Sequence, residues 1–480
     1  MPSPDLLYHR AGTLRVGLLP AAHRADASSE PMPWRIVKPM KYSLRDQFGL
    51  EEWRRRMVFW GGAVATGAAA VLFAKGSDFA MALFFKAQTW AAWWSYVSAP
   101  VGFAVCAWLT HRVFAGAEGS GIPQTMAALV MSTEEARDRV LSMKIAVGKI
   151  LLTLLALASG GSVGREGPTV QVGASIMHSL RRFARFSAAD VDRGLILAGG
   201  AAGVAAAFNT PLAGIVFAIE ELSRSFEERT SGTILTAVIV AGVTSLALVG
   251  NYTYFGATNA FMSEPRMWLA VPICGLAGGL LGGTFSLAMV RLGTALPTGV
   301  QRFRKQHPVL FAAGCGAVVA AIGWLSSGST FGTGYSEAKL LLQNEATPSA
   351  GFAIYKALAT LASYLSGIPC GIFAPSLSVG AGLGAHLYSW WPVAPAGAMV
   401  VLSMAAYFSG VVQAPLTALV IVTEMTGNRS LTLPLMAAVL IGRGASALVC
   451  RRSLYRSLAD RFMPSQAVVP GGPGLSDEIR

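Results

Sequence analysis

Residues 159–174 read SGGSVGREGPTVQVGA, and residues 366–381 read SGIPCGIFAPSLSVGA. The two stretches lie 207 residues apart, align without a gap and are identical at 7 of 16 positions. The first of them places Arg165 and Glu166 in one of the most apolar parts of the chain. An ionisable side chain at membrane depth costs roughly 2.5 to 3.5 kcal/mol on insertion scales. Its presence in a repeated segment broken by glycine and proline therefore predicts a transport site.

A second pair of segments repeats at a similar distance. NTPLAG begins at Asn209 and leads to Glu220, and QAPLTA begins at Gln413 and leads to Glu424. Chance recurrence of helix-breaking residues would explain one match, but it explains poorly two pairs in the same order at nearly the same offset. We therefore predict two halves with one order of elements, about 57–250 and 266–450. The pattern itself leaves open whether these halves are parallel or inverted.

The composition indicates a polytopic membrane protein. Of 480 residues, 53% are hydrophobic and only 13% are charged, and the mean hydropathy is +0.51. A full crossing needs about 20 apolar residues, and several apolar segments are shorter or are cut by Gly-Pro pairs. Many helices must then start or stop inside the membrane, where irregular backbone is tolerated only if it is buried in protein or lines a polar cavity. An all-α fold with a central site follows.

One transmembrane domain, 41–463, is expected between a disordered cytoplasmic tail, 1–40, and a short cytoplasmic tail, 464–480. Residues 41–56 are basic and amphipathic, which predicts a helix lying at the membrane interface. Arginines cluster at the ends of apolar segments, as at 54–56 and 451–452. The positive-inside rule places those ends, and therefore both termini, in the cytoplasm.

Several other classes of function are disfavoured. The net charge of +13 comes without a basic run interleaved with aromatic residues, so no nucleic-acid partner is expected. An intramembrane hydrolase would need a nucleophile with a base, or metal ligands. The six histidines show no HExxH spacing and no GxSxG is present, so we expect neither an enzyme nor a metal or other cofactor. The five cysteines show no CxxC spacing and are predicted to be packing residues.

Three segments predict helix starts inside apolar surroundings: Gly121-Ile122-Pro123, Gly167-Pro168 and Ala374-Pro375. Proline in the first turn loses no hydrogen bond, and glycine before it lets the backbone turn tightly. Each start exposes unpaired amide hydrogens and the positive end of a helix dipole, about half an elementary charge. Three such starts directed at one point would bind an anion without a fully charged residue. That suits transport, because a more attractive site would retain its ion.

The polar residues near these starts carry alternative interpretations. Ser120 is either a hydroxyl donor to a ligand or an ordinary N-cap. Glu166 is either a tethered competitor for the anion, which leaves when protonated, or a partner of Arg165, although neighbours on a helix point about 100° apart. For Glu220 and Glu221, one can cap or pair while the other faces a pathway, or both can lie on a solvated face. Lys149 is a buried countercharge or a snorkelling lysine.

At these residues the chain resembles the CLC family of chloride channels and anion/proton exchangers. The shared motifs, in the family's order, are GSGIP (119–123), GREGP (164–168), GIFAP (371–375), the paired NTPLAGIVFAIEE and QAPLTALVIVTEMT segments, and Ser453-Leu454-Tyr455. The resemblance implies an all-α, CLC-type fold of two inverted-topology repeats with tilted, broken helices. It also implies a homodimer in which each subunit has its own pathway. The implied selectivity-motif residues are Gly119, Gly121, Pro123, Gly164, Arg165, Gly167, Pro168, Gly371 and Pro375.

The resemblance also implies roles for individual residues. The hydroxyls of Ser120 and Tyr455 would coordinate the central chloride, beside the backbone amides of Ile372 and Phe373. Glu166 would be the outer gating glutamate. Glu221 would be the inner proton-transfer glutamate, at a position where the family's channels usually carry a non-acidic residue. Exchange of chloride, as bound substrate, for protons across a bacterial inner membrane is therefore expected, with a passive chloride channel as the alternative.

The departures from the family's pattern are modest. Gln124 stands where many members have glutamate, which changes the charge near the first motif, and Cys370 stands where glycine is frequent. Serine in the first motif favours chloride, because the resemblance implies a proline at this position in nitrate-selective members. The GSGIP and GIFAP motifs make fluoride specialisation unexpected. Since the chain ends soon after Tyr455, the C-terminal CBS domains of many eukaryotic members are not expected.

Overall fold

The structure, a computed structural model, describes residues 50–183, 189–223, 228–250, 254–256, 258–345, 349 and 351–463. The predicted tails, 1–40 and 464–480, lie outside this range, as does the predicted domain boundary at residue 41. Helices dominate the described residues, and β pairing there is limited to two isolated bridges. The predicted all-α architecture is confirmed.

Among the described residues, the first half of the domain contains nine helices. They are α1 (Leu50–Trp90), α2 (Trp94–Arg112), α3 (Ile122–Val130), α4 (Glu134–Asp138), α5 (Met143–Ala158), α6 (Glu166–Leu180), α7 (Ala189–Phe208), α8 (Pro211–Phe217), which continues into a π-helical turn (Ala218–Ser223), and α9 (Glu228–Val249).

The second half begins with a 3-10 turn and closes with another. Its elements are the turn Pro265–Leu269, α10 (Ala270–Thr294), α11 (Thr298–Gln306), α12 (Pro308–Leu325), α13 (Tyr335–Leu342), α14 (Phe352–Leu365), α15 (Phe373–Trp390), α16 (Ala396–Val412), α17 (Pro415–Thr426), α18 (Thr432–Val449), α19 (Leu454–Ala459) and the turn Asp460–Phe462.

Helix α1 differs from its prediction. Residues 50–56, expected to end an interfacial helix, are instead the first turns of a helix of 41 residues. No proline occurs between residues 50 and 90, so nothing in this stretch forces the backbone to break. The remaining residues of that predicted interfacial helix, 41–49, lie outside the described residues.

Helices of very different length share the apolar domain. Among the described residues, six helical stretches are long and apolar enough to cross a membrane. Others are much shorter, and α3, α8 and α17 each begin with proline in the first two positions. Proline is accepted there because the first amides of a helix have no intrahelical partner. The prediction of many helices that start or stop within the apolar layer agrees with this arrangement.

Equivalent glycines of the two halves bond to each other. The amide of Gly164 donates to the carbonyl of Gly371 at 2.7 Å, and the amide of Gly371 donates to the carbonyl of Gly164 at 3.2 Å. These two residues are 207 positions apart and occupy the same place in the repeat. A reciprocal, antiparallel pair between equivalent residues requires a local two-fold axis between the halves. The two halves are therefore related by a local two-fold axis at this pair.

The second repeated pair obeys the same symmetry. The carboxylate of Glu220 accepts hydrogen bonds from the amides of Leu416 (3.1 Å) and Thr417 (2.6 Å), at the start of α17. The carboxylate of Glu424 accepts one from the amide of Ala213 (2.9 Å), at the start of α8. Each half thus caps a helix of the other half with a carboxylate, which satisfies exposed amides and complements the helix dipole. The interface between the halves is fixed at two places.

Candidate anion site

Three backbone loops converge at the centre of the domain. We call residues 119–123 the Ser120 loop, residues 164–168 the Glu166 loop and residues 371–375 the Phe373 loop. The amide of Gly119 donates to Ile368 O (3.1 Å), and the amide of Cys370 donates to Gly119 O (3.0 Å). With the Gly164–Gly371 pair, these bonds join the residues around the Phe373 loop to the other two loops. The starts of α3, α6 and α15 are therefore neighbours, as the sequence predicted.

Glycine makes this close approach possible. A Cβ atom placed on Gly167 would lie 2.5 Å from Ser120 Oγ and 2.8 Å from Ser120 O. Gly121, the residue before α3, has φ = 96°, a left-handed conformation that side-chain-bearing residues rarely adopt. A Cβ there would also lie 2.9 Å from Gly167 O. The glycines of the Ser120 and Glu166 loops thus let two helix starts meet backbone to backbone.

The hydroxyls of Ser120 and Tyr455 are the polar groups at this meeting point. Their residues are 1% and 0% exposed, and Tyr455 lies beside Ser120. Among the described residues, neither hydroxyl has a hydrogen-bond partner within bonding geometry. A buried hydroxyl left unpaired costs about 1 to 3 kcal/mol. Two of them next to the amide-rich starts of three helices form a set of donors suited to an anion.

The wall beside these hydroxyls is aromatic. The ring of Phe373, the first residue of α15, lies 5.8 Å from the ring of Tyr455 and 4.8 Å from that of Phe408. Phe208 and Phe217 also pack against it, each at 5.8 Å. Ile372 and Phe373 are fully buried. This wall makes one side of the site apolar, and an apolar surrounding strengthens the interaction of the helix-start amides with a charge.

Glu166 is the first residue of α6 and is fully buried. Its Oε1 atom accepts a hydrogen bond of 2.5 Å from the hydroxyl of Tyr335. Its Oε2 atom has no hydrogen-bond partner among the described residues, and a Cβ placed on Gly164 would lie 2.7 Å from it. The carboxylate is therefore folded against its own loop at the start of α6.

The alternative of an ion pair with Arg165 receives little support. Arg165 Nε lies 4.0 Å from Glu166 Oε1. The guanidinium instead donates to Asp78 Oδ1 (2.7 Å), to Ala74 O (2.6 Å) and to the hydroxyl of Tyr254 (2.7 Å). Arg165 is thus anchored to α1 and to the segment between the two halves, and the Glu166 side chain is not held by it.

The two adjacent glutamates have separate environments. Glu220 caps α17, as described above. Glu221 is 1% exposed and accepts a hydrogen bond of 3.1 Å from the hydroxyl of Ser453. Ser453 directly precedes the helix that carries Tyr455. Of the sequence alternatives, the one in which one carboxylate caps a helix and the other turns inward describes the structure.

Comparison with known proteins agrees with this geometry. The family model described as voltage gated chloride channel matches residues 101–447, which is more than half of the chain. The chain belongs to the CLC family. Its inverted repeats and its shared motifs, predicted from the resemblance, are those of a CLC protein.

Curated CLC relatives match most of the chain. The H(+)/Cl(-) exchange transporter ClcA of Yersinia pestis bv. Antiqua (strain Angola) is 29% identical over 436 residues, covering 84% of this chain and 86% of the relative. ClcA of Vibrio cholerae serotype O1 (strain M66-2) is 30% identical over 381 residues, covering 75% and 77%.

Solved CLC structures share the fold. A slow cyanobacterial Cl-/H+ antiporter superposes with a TM-score of 0.74 at 23% identity, covering 86% of this chain and 99% of that one. A CLC-type fluoride/proton antiporter superposes with a TM-score of 0.71 at 21% identity, covering 85% and 99%. At these identities the likeness establishes the architecture.

Two cavities flank the CLC site. The first, which we call the Ser120 cavity, has a volume of about 570 Å³ and is lined by residues that include Ser120, Tyr364, Arg304 and Arg461. The second, the Arg165 cavity, has a volume of about 310 Å³ and is lined by residues that include Arg165 and Tyr335. Basic side chains in both attract anions. The fully buried Glu166 is bonded to Tyr335, which lines the Arg165 cavity.

A buried lysine supports the Ser120 loop. Lys149 is fully buried, and its Nζ atom donates to the carbonyls of Ala117 (2.9 Å), Glu118 (3.1 Å) and Gly119 (2.7 Å). Its amine is therefore satisfied inside the protein and does not snorkel. Gln124 also supports this loop, since its Oε1 atom accepts from the amide of Gly121 (3.1 Å) and its Nε2 atom donates to Glu118 O.

Sequence reasoning missed three residues near the site: Tyr335, Tyr254 and Lys356. A signal existed for Lys356, which lies 207 residues after Lys149, the same offset as the repeated motifs. It is fully buried and donates to Thr330 O (2.9 Å) and Gly332 O (2.8 Å). The five cysteines are free thiols and four of them are buried, consistent with a packing role.

Substituting Gly167 tests the close approach of the loops. In Gly167→Ala the new methyl group would push Ser120 Oγ away from its place beside the hydroxyl of Tyr455. Loss of one hydrogen bond to a charged ligand costs about 1.5 to 3 kcal/mol, so chloride should bind roughly 10- to 100-fold more weakly by calorimetry. Gly314→Ala is the control, because a Cβ on Gly314 meets nothing within 4 Å. Equal affinity of both variants would contradict the assigned contact.

Proposed function

We propose that this CLC protein exchanges chloride for protons across the membrane. The observation that carries the proposal is the placement of two buried carboxylates, Glu166 and Glu221, near one pair of unsatisfied buried hydroxyls. An anion site alone requires neither carboxylate, since a fixed negative charge repels the substrate. The names of the ClcA relatives, H(+)/Cl(-) exchange transporters, support the same activity.

Chloride is the substrate in this proposal. It lies between the hydroxyls of Ser120 and Tyr455 and accepts from the first-turn amides of Ile372 and Phe373, which have no partner inside α15. The glycines and prolines of the three loops act in selectivity by bringing these donors together. No full positive charge contacts the ion, so it is bound loosely enough to leave.

Glu166 alternates with chloride. When ionised, its carboxylate competes with the anion for the donors at the helix starts. When protonated, it no longer competes for those donors and leaves its position at the start of α6, so that chloride passes. Each return of the ionised side chain leaves one proton on that side of the membrane, which couples the two movements.

Glu221 supplies the proton from the opposite side. It is buried, and it is bonded to Ser453 next to the helix of Tyr455, so it lies off the loops that hold the anion. A separate position for this carboxylate allows proton entry without blocking chloride. The cap formed by Glu220 holds α17 in place and takes no part in proton transfer.

The setting of the protein follows the same reasoning. We place it in a bacterial inner membrane with both termini in the cytoplasm, supported by the arginine clusters and by the bacterial relatives. We also infer a homodimer with one pathway in each subunit. Large apolar side chains remain exposed on α8, α17 and α18, including Leu212, Leu416 and Leu433, which suits either lipid or a second copy.

A passive chloride channel is the second candidate, since the family contains both. Simultaneous measurement of chloride and proton flux in liposomes distinguishes them. Under an imposed chloride gradient, an exchanger moves protons against their own gradient. Chloride flux without any proton movement would replace the exchanger with the channel.

A further inference from the structure

The second half of the domain contains a counterpart of the Ser120 loop. Residues 332–335, Gly-Thr-Gly-Tyr, lead into α13 as residues 119–122, Gly-Ser-Gly-Ile, lead into α3. The φ angles of Gly119 and Gly121 are 63° and 96°, and those of Gly332 and Gly334 are 67° and 83°. We call residues 332–335 the Tyr335 loop.

The same kind of lysine supports both loops. Lys149 donates to Gly119 O (2.7 Å), and Lys356, its partner in the repeat, donates to Gly332 O (2.8 Å). Thus a buried lysine fixes the first glycine of each loop through its carbonyl. The two-fold axis that relates the halves then places the Tyr335 loop on the opposite side of the pathway from the Ser120 loop.

The Tyr335 loop differs from the Ser120 loop in what it binds. The hydroxyl of Ser120 has no protein partner among the described residues, which leaves it available to an anion. The hydroxyl of Tyr335 donates to Glu166 Oε1 at 2.5 Å. The carboxylate of the chain itself is therefore the anion that the Tyr335 loop holds.

Tyr335 is held rigidly for this contact. Its ring lies 3.8 Å from the ring of Tyr254 and 5.3 Å from that of Phe255, measured between centroids. The guanidinium of Arg165 lies 5.7 Å from its ring. The hydroxyl is thus positioned by packing on several sides, and the Tyr335 ring forms part of the wall of the Arg165 cavity.

Other charged and titratable groups surround Glu166 without replacing this contact. Arg165 is bonded to Asp78 on α1, and Lys75 of the same helix lines the Arg165 cavity. Helix α3 carries no titratable residue. Among the described residues, the groups nearest to it are Arg165 on its own loop, Tyr335 on α13 and Tyr455 on α19. Lys75 and Asp78 on α1 and Tyr254 before α10 lie beyond them, on the wall of the Arg165 cavity.

We propose that Tyr335 is a positioning residue that sets the proton concentration at which the gate opens, because its hydroxyl holds the ionised Glu166 side chain and must release it for exchange. This inference rests on the proposed function and adds a determinant to it. A donor to the charged form of an acid favours that form. Without the donor, Glu166 should become protonated, and the pathway should open, at a lower proton concentration.

Tyr335→Phe in the full-length protein tests this proposal. The ring and its packing remain, and only the hydroxyl is lost. Chloride efflux from liposomes is measured against external pH. We expect the midpoint of the curve to move to higher pH by about one unit, which is a tenfold decrease in the proton concentration at half-maximal flux. Tyr254→Phe is the comparison, because that hydroxyl accepts from Arg165 and the midpoint should stay in place.

The double variant Tyr335→Phe with Glu166→Ala separates positioning from a structural role. If Tyr335 acts through Glu166, its substitution should not change chloride flux when Glu166 is already alanine. An unmoved midpoint in the single variant, or an equal change of flux in both backgrounds, would overturn the proposal. This test measures chloride flux alone. A wild-type protein that moves no protons would refute exchange, but the test of Tyr335 would remain valid.

Discussion

Glu166→Ala is expected to carry chloride without moving protons. The substitution removes the carboxylate that lies at the start of α6, fully buried and bonded to Tyr335. The donors at the three helix starts then face no competitor inside the protein, so chloride passes at every pH. Proton movement driven by a chloride gradient should fall to the level of empty liposomes, while chloride efflux persists.

The pH profile gives the second reading of the same variant. In the wild type, chloride flux should rise as external pH falls, because protonated Glu166 no longer competes with the anion. In Glu166→Ala the curve should be flat. Glu166→Gln is the matched control for size, and it should behave like alanine because it also lacks the titrating group. Retained proton pumping in either variant would show that another residue carries the coupling.

Glu221→Gln is expected to separate the two fluxes differently. The amide keeps the size of the side chain and a hydrogen bond to Ser453, but it cannot take up and release a proton at physiological pH. Chloride flux should therefore continue, still dependent on external pH through Glu166, while uphill proton movement is lost. Simultaneous recording with a chloride electrode and a pH electrode gives both quantities from one vesicle sample.

Glu220→Gln is the matched control for this prediction. The two residues are adjacent, yet Glu220 accepts from the amides at the start of α17 and Glu221 is turned inward. Loss of the charged cap should lower stability by about 1 kcal/mol and leave proton coupling intact. If Glu220→Gln uncouples the protein and Glu221→Gln does not, the proton path has been assigned to the wrong glutamate.

The sequence predicted the features that depend on local backbone chemistry. Proline and glycine marked the starts of α3, α6 and α15 within one or two residues. Glycine acts through the φ angles that it can adopt, and proline acts through its fixed φ angle and its missing backbone N–H donor. The repeat of 159–174 in 366–381 also indicated that two of these starts are equivalent. The direct bond between Gly164 and Gly371 followed from no pattern, since it needs the two-fold axis.

Features that depend on tertiary contacts were not predictable in this way. The separate roles of Glu220 and Glu221 depend on the π-helical turn at Ala218–Ser223 and on the partner helix that each side chain meets. The Tyr335 loop shares little more than two glycines with the Ser120 loop, so this part of the repeat is visible in the backbone φ angles and not in the amino-acid sequence. Helix α1 begins earlier in the chain than predicted, because the basic residues before the apolar segment are as compatible with a helix as the apolar residues are.

The central claim is that helix starts, two hydroxyls and a competing carboxylate share one anion site. A crystal of the protein soaked in bromide tests it directly, because bromide scatters anomalously and stands in for chloride. We expect an anomalous peak within hydrogen-bonding reach of both Ser120 Oγ and the hydroxyl of Tyr455, and a second peak at the carboxylate position in crystals of Glu166→Gln. Peaks confined to the arginines of the two cavities, with none between the two hydroxyls, would contradict the account.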